Sequence, residues 1–377
     1  MTLTLLLDLD DTLLTNPIEA FLEAYLKAFS RHLDGKIAPD QFVRQLLAAT
    51  KTMVQNDDHS QTLEASFDAA FYPAVGLEKA ELREIIASFY EEVFPTLRKL
   101  TTPRPEAVRL VEWAFEKGFR VVVATNPLFP RTAILQRLAW ADLPPEQYPF
   151  DLITSYETFH FAKPNPAFFS EVMAQIGWPV GPAVMVGNSL KDDILPAAKA
   201  GLLTYYLHEQ EPAPEGLVAA TGPGGRLEDL PIWLETLELE NDPASITEPE
   251  AAISALKATP AALGTLTKDL TPEEWKAHPL AGEWGITEIA CHLRDVEGEV
   301  HLFRLTRILE ETNPFLAGED TDAWAEDRKY RRQNGPFALA KFTDCRNQTI
   351  SILKNFQPLD WERITRHAIF GPTTVKE

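Results

Sequence analysis

The sequence predicts an α/β domain with a parallel sheet and an inserted helical segment, followed by an all-α helix bundle. Three observations carry this prediction. Short apolar runs at Leu3 to Leu7, Phe119 to Ala124 and Ala183 to Val186 read as strands buried on both faces, and each ends abruptly in polar residues. Between the first and second runs, apolar residues recur at helical spacing. Beyond residue 248 only the helical period remains.

The first run ends in Asp8-Leu9-Asp10-Asp11-Thr12. Carboxylates two residues apart lie on the same side of the chain. Here they fall just beyond the strand end, on the rim where open α/β sheets bind ligands. When both are ionised they repel, and a shared proton or a cation relieves the repulsion. A hard cation such as Mg²⁺ takes one or two carboxylates together with substrate phosphate oxygens, so the pattern points to phosphoryl chemistry.

About residues 16 to 100 form a helical insert. Ile18, Phe21, Leu22, Tyr25 and Phe29 share one helical face; Phe42, Leu46 and Leu47 share a second, and Leu82, Ile85, Ile86, Phe89 and Val93 a third. Such stripes serve helix packing.

The second run ends in Thr125-Asn126-Pro127, which offers a hydroxyl and free backbone N–H groups in a loop. Lys163 sits in Phe161-Ala162-Lys163-Pro164-Asn165-Pro166, a loop stiffened by its prolines. The third run leads into Gly187-Asn188-Ser189-Leu190-Lys191-Asp192-Asp193. A helix is then expected over 194–201 and a strand over 202–207. Glu211-Pro212-Ala213-Pro214 reads as a loop and Gly222-Pro223-Gly224-Gly225 as a turn. Leu230 to Leu237 closes the domain, and the polar stretch 238–248 is the linker.

Taken together, these strand-end elements resemble the haloacid dehalogenase (HAD) superfamily over about residues 1 to 235, with all four family motifs in order. The resemblance implies a Rossmann-like parallel sheet with an inserted helical cap, the core being 1–15 and 101–237 and the cap about 16–100. It further implies Asp8 as nucleophile and metal ligand, and Asp10 as general acid and then general base, also at the metal. Thr125 and Asn126 would hold the phosphoryl oxygens, and Lys163 would neutralise charge. Asn188 and Asp193 would complete an Mg²⁺ site. Dehalogenating members lack a carboxylate at the position of Asp10, so phosphoryl transfer is favoured. One departure is Asn188, where members usually carry Asp. The amide can ligate Mg²⁺, but the site loses one negative charge. A non-catalytic phosphate-binding scaffold is the alternative this leaves open.

In the region 249–377, Ile286, Ile289, Ala290, Leu293, Val296, Val300 and Phe303 form one stripe, and Phe337, Phe342, Ile350 and Leu353 mark another helix. His292 falls on the interior side or edge of the first stripe, with Asp295 and Glu299 on its face. The stretch Gly282 to Asp295, with Leu270 to Trp275 and Phe370 to Val375, resembles the DinB-like four-helix bundles. In that family a histidine at the position of His292 binds a divalent metal, Zn²⁺ or Ni²⁺ being the candidates here, with two more histidines from a final helix. Thr374-Val375-Lys376-Glu377 has the form of a capping box that opens such a helix. The chain is therefore expected to be a fragment, or a bundle that has lost its last helix. A metal-dependent transferase activity in this bundle is a further alternative.

With 56 acidic against 35 basic residues and a net charge of −21, nucleic acid and anionic membrane surfaces are unfavourable partners. Two cysteines make no disulfide framework. No apolar run approaches the ~20 residues that span a bilayer. These features predict a cytoplasmic protein, Mg²⁺-dependent and acting on a small phosphorylated metabolite. Its motifs recognise only the phosphoryl group.

Overall fold

The computed structural model describes residues 3–33, 35–208, 223–237, 248–280 and 282–376. The chain divides into two units, Met1–Ile246 and Thr247–Glu377.

The first unit is built on a six-stranded parallel sheet. Its strands are β1 (Thr4–Leu7), β4 (Arg120–Val123), β5 (Leu152–Ile153), β6 (Ala183–Gly187), β7 (Leu203–Leu207) and β8 (Gly224–Gly225), in the order β5-β4-β1-β6-β7-β8. All four residues of β1, Thr4 and three leucines, are buried, as expected of a central strand covered on both faces. Leu7 is in register with Val123 on one side and Val186 on the other. The loops after β1, β4 and β6 therefore emerge side by side at the carboxyl edge.

The helical insert leaves and rejoins the sheet through a two-stranded ribbon in which Leu14–Thr15 (β2) pairs antiparallel with Thr102–Pro103 (β3). It contains α1 (Ile18–His32), α2 (Pro39–Val54), α3 (Leu63–Val75) and α4 (Lys79–Ser88), and the chain continues in tighter and wider helical turns to Leu100. The Thr62 hydroxyl caps α3 by accepting from the Ala65 N–H, and Gly76 ends it at φ +74°. Phe21, Tyr25, Phe29, Phe42, Phe89 and Phe94 are buried, with the Phe29 and Phe89 rings stacked 4.0 Å apart. Ile18, Leu22 and Leu47 are exposed, so the apolar stripes are wider than the faces they bury.

Helices α5 (Pro105–Glu116), α6 (Arg131–Trp140) and α7 (Pro166–Gln175) belong to the core around the sheet. The turn expected at 222–225 is corrected in part. Gly224 and Gly225 form an edge strand on Tyr206 and Leu207, where a side chain on Gly224 would stand 2.6 Å from the Tyr206 carbonyl oxygen. The loop at 211–214 and nearly all of the linker lie outside the described residues.

The second unit contains helices Pro249–Thr267, Ile286–Asp295, Leu302–Glu310 and Gly335–Lys354, with a wide turn, Val296–His301, joining the second and third. Two expectations are corrected here. The unit is not helices only, because Phe315–Leu316 (β9), Ile364–His367 (β10) and Gly371–Thr374 (β11) form a three-stranded sheet in the order β11-β10-β9. No helix opens at Thr374, which instead pairs with Ile364. Gly371 at φ +76° turns the chain, and β-branched Thr365 and Thr373 face each other with hydroxyls 3.0 Å apart; this local pairing overrides the capping pattern.

The apolar stripe also differs from expectation. Ile289 and Phe303 are exposed, whereas Glu288, Asp295 and Glu297 are buried. Each buried acid has a cationic partner: Glu288 meets Arg331 at 2.9 Å, Asp295 meets Arg294 and Arg328 at 2.6 and 2.7 Å, and Glu297 meets Arg346 at 2.7 Å.

Candidate active site

Asp8 follows β1 directly, and its N–H donates to the Val186 carbonyl, which fixes it at the end of the central strand. Lys163, buried, reaches it from the loop before α7. The ammonium donates to Asp8 Oδ1 at 2.8 Å and to Asp193 Oδ1 at 2.6 Å. Three residues from three loops thus form one buried carboxylate–ammonium–carboxylate chain.

The Lys163 loop is held on both sides. Its N–H donates to Asn126 Oδ1 at 3.2 Å, which joins the loops after β4 and β5. Beyond it, the fully buried carboxylate of Glu171 accepts from the His160 ring at 2.7 Å and from the backbone N–H groups of His160 and Phe161. Asn165 caps α7 by accepting from Ala167 N–H, and Pro166 occupies the first helical turn. Thr125 is buried, and its carbonyl accepts from the Thr154 hydroxyl at 2.6 Å.

The loop after β6 is shaped around Asp193. A side chain on Gly187 would overlap the Asp193 carboxylate. Asp193 Oδ2 accepts from Ser189 N–H at 3.0 Å, and the Ser189 hydroxyl accepts from Asp192 N–H at 3.1 Å. Asn188 is exposed at the start of this loop.

Asp10 stands apart from the lysine chain. Its Oδ1 accepts from Asn16 Nδ2 at 2.8 Å, and the buried guanidinium of Arg137 lies against the same carboxylate. The intervening loop is tight: Asp11 sits at φ +53°, its Oδ1 accepts from Asn16 N–H at 2.8 Å, and its carbonyl accepts from Arg104 Nη1 at 2.6 Å. Sequence reasoning missed Arg137. The signal was its spacing, since Ala133, Ile134, Arg137 and Leu138 form one helical face and all are buried. Glu171 was missed for the same reason, lying four residues after buried Ala167 and three after buried Phe168.

Burial raises the Asp193 carboxyl to about 6, and Asp8 pushes in the same direction against the opposing pull of Lys163. Lys163 loses stability as a cation through burial, but Asp193 and Asp8 outweigh this and raise its pKa. Arg137 is lowered to about 10 by burial, with Asp8 opposing the change. Counted as charges, Asp8 and Asp193 exceed Lys163 by one. Oxygen donors with one uncompensated negative charge match the chemistry of a hard divalent cation. Among the described residues, no three His, Cys, Asp or Glu side chains form a group that could hold a metal ion, so such a cation here would also need the main-chain carbonyl and amide oxygens of these loops.

In the second unit His292 is half-buried, its ring 4.9 Å from that of Trp284 and its buried Nδ1 without a hydrogen-bond partner among the described residues. Burial lowers its pKa. Asp295 is buried nearby in sequence, while Glu299 is exposed and bound by Arg328 at 2.6 Å.

A parallel sheet with a helical insert after its first strand, and acidic and basic side chains converging at its carboxyl edge, defines the class to which family comparison assigns this chain. Residues 2–201 match the haloacid dehalogenase-like hydrolase family, to which the chain belongs. Residues 255–377 match the DinB superfamily. Among curated proteins, the pyrimidine 5'-nucleotidase YjjG of Escherichia coli (strain K12) is 32% identical over 131 residues, which is 34% of this chain and 55% of that protein. The chain thus spans about half the length of this relative. Among solved structures, a 2-haloacid dehalogenase from Pseudomonas syringae pv. Tomato DC3000 is 24% identical with a TM-score of 0.44, covering 62% of this chain and 98% of that one. The HAD-hydrolase YfnB from Bacillus subtilis, bound to magnesium, is 21% identical with a TM-score of 0.38 over 62% and 98%. YfiT from Bacillus subtilis, described as a probable metal-dependent hydrolase, is 20% identical with a TM-score of 0.32 over 36% and 77%. No helix among the described residues is long and apolar enough to cross a membrane.

Proposed function

We propose that the chain hydrolyses a small phosphorylated metabolite, a phosphomonoester, in an Mg²⁺-dependent reaction through an aspartyl-phosphate on Asp8. The observation that carries this reading is the Lys163 ammonium bridging Asp8 and Asp193 at 2.8 and 2.6 Å. A buried carboxylate held in place by a fixed cation is a suitable nucleophile for a phosphoryl group.

One oxygen of Asp8 attacks phosphorus, the bond to the leaving oxygen breaks, and Asp10 gives that oxygen its proton. Water then attacks the acyl-phosphate, Asp10 accepts the water proton, and inorganic phosphate leaves with Asp8 restored. Thr125 and Asn126 bind the phosphoryl oxygens, while Lys163 offsets charge on both nucleophile and phosphate. Asp8, the Asp10 main-chain carbonyl, Asn188 and Asp193 would hold Mg²⁺, which neutralises phosphate charge when bound. The carboxylate of Asp10 is what favours phosphate release over dehalogenation, since only an oxygen leaving group needs its proton. The similarity to a nucleotidase agrees with this reading.

Turnover of p-nitrophenyl phosphate by the full chain, with and without Mg²⁺, tests the proposal. Metal-dependent release of phosphate is expected. Phosphate binding without turnover would favour the scaffold reading.

A further inference from the structure

The cap carries a cavity of about 880 Å³, within the range of small-molecule sites and far larger than the voids of a packed interior. Phe21, Tyr25, Phe29, Phe67 and Phe71 of the cap line it, together with Phe129 from the loop that begins at Thr125. The cavity therefore shares a loop with the phosphoryl-binding residues. A second link is Arg137: its guanidinium lies 5.5 Å from the Phe21 ring centre and 5.6 Å from that of Phe129, and rests against Asp10. One wall of the cavity is thus in contact with the side chain that touches the general acid.

Several polar groups on the lining are engaged with one another. The Tyr25 and Tyr90 hydroxyls are 2.9 Å apart, Lys79 meets Glu64 at 2.8 Å and Asp68 at 2.6 Å, and the Thr50 hydroxyl donates to the Leu46 carbonyl. A sugar or nucleotide entering here would exchange most of its water contacts for aromatic faces, with Tyr72, Arg83 and Tyr156 the remaining polar side chains of the lining to meet its hydroxyls. An apolar group would gain the full benefit of leaving water.

We infer that the preferred substrate is the phosphomonoester of a bulky apolar alcohol, its aryl or alkyl group seated in the cap cavity and its phosphate against Asp8 and Lys163 at the carboxyl edge of the sheet. This rests on the phosphomonoesterase reading above and adds the leaving-group chemistry to it.

The test compares kcat/KM of the full chain with Mg²⁺ for 1-naphthyl phosphate, decyl phosphate, glucose 6-phosphate, a pyrimidine nucleoside 5'-monophosphate and acetyl phosphate. At least one apolar ester should exceed both polar esters tenfold or more; the naphthyl and decyl arms show whether the cavity takes rings or chains. Equal or better turnover of a polar ester overturns the inference while leaving the phosphomonoesterase reading in place. No turnover of any compound removes both. Phe67→Asp should lower the ratio of naphthyl phosphate to acetyl phosphate turnover at least tenfold. Leu22→Trp, at a cavity-lining position that is 37% exposed and tolerant of substitution, should lower the same ratio through lost volume. An unchanged ratio in a folded variant overturns the placement.

Discussion

The Lys163 ammonium lies 2.6 Å from Oδ1 of Asp193, with both side chains buried. Because the same ammonium also holds Asp8, removing it leaves two buried carboxylates facing each other. Lys163→Met should therefore cost about 3–5 kcal/mol of stability, the range for breaking a buried ion pair from one side. Chemical denaturation of wild type and variant measures this. A loss below about 1 kcal/mol would show that the three side chains are not one buried network.

Asp8→Asn keeps the strand end and the Lys163–Asp193 bridge but supplies no carboxylate nucleophile. Phosphate release should fall to background with the fold retained, as followed by circular dichroism. Retention of a tenth of the wild-type rate would exclude the covalent route.

Asp10→Asn should slow both formation and breakdown of the phosphoenzyme, because one carboxyl group serves both proton transfers; the expected loss is about 10²–10⁴-fold. Asn16 and Arg137 hold the wild-type carboxylate, so an amide there also faces a guanidinium it cannot neutralise. Rapid-quench measurement of the two steps, with a pH–rate profile, checks the assignment. An unchanged profile would remove Asp10 from acid–base work.

The α/β core was legible because β1, β4 and β6 are central strands whose residues, apart from Thr4 and the partly exposed Arg120 at their starts, are buried and apolar or glycine. The edge strands Leu152–Ile153 and Gly224–Gly225 have two residues each, too few to show a period, and exist through pairing with their neighbours. Arg137 and Glu171 were hidden because charge is ordinarily a sign of exposure, whereas here partners close by in space permit burial. The bundle misled for the same reason. Its buried faces carry Glu288, Asp295 and Glu297, and apolar residues such as Ile289 and Phe303 point outward. Spacing places Arg137 and Glu171 on buried faces, but the pairing across the fold that permits their burial is not written in it.

Glu297 provides a pH test of such pairing. Burial alone would raise its pKa, but the His301 hydrogen bond, the Arg346 charge and the Thr349 hydroxyl together bring it down to about 2. A folded-state value below the unfolded one, ~4.3, means that stability is present above the unfolded pKa and lost as pH falls from there through about 2. Acid titration of unfolding free energy should show this loss, and Glu297→Gln should have a shallower slope in that window. Equal slopes would show that Glu297 is not paired in solution.

Asn188 is the position where the loop after β6 departs from its family, and it is exposed beside the buried Asp193 network. If this loop faces the metal, Asn188→Asp adds one charge to the cation's surroundings while leaving Gly187 and the Ser189 cap in place. The Mg²⁺ concentration for half-maximal activity should fall, by about 1–3 kcal/mol of binding free energy if the new carboxylate is a direct ligand. Because binding to the folded state raises its stability, the variant should also show a larger Mg²⁺-induced rise in Tm, a readout that needs no turnover. Asp193→Asn should move both quantities the other way, through loss of one carboxylate from the same chain. Unchanged Mg²⁺ titrations in both variants, by activity and by Tm, would place the loop away from the metal and return the weight to a phosphate-binding scaffold.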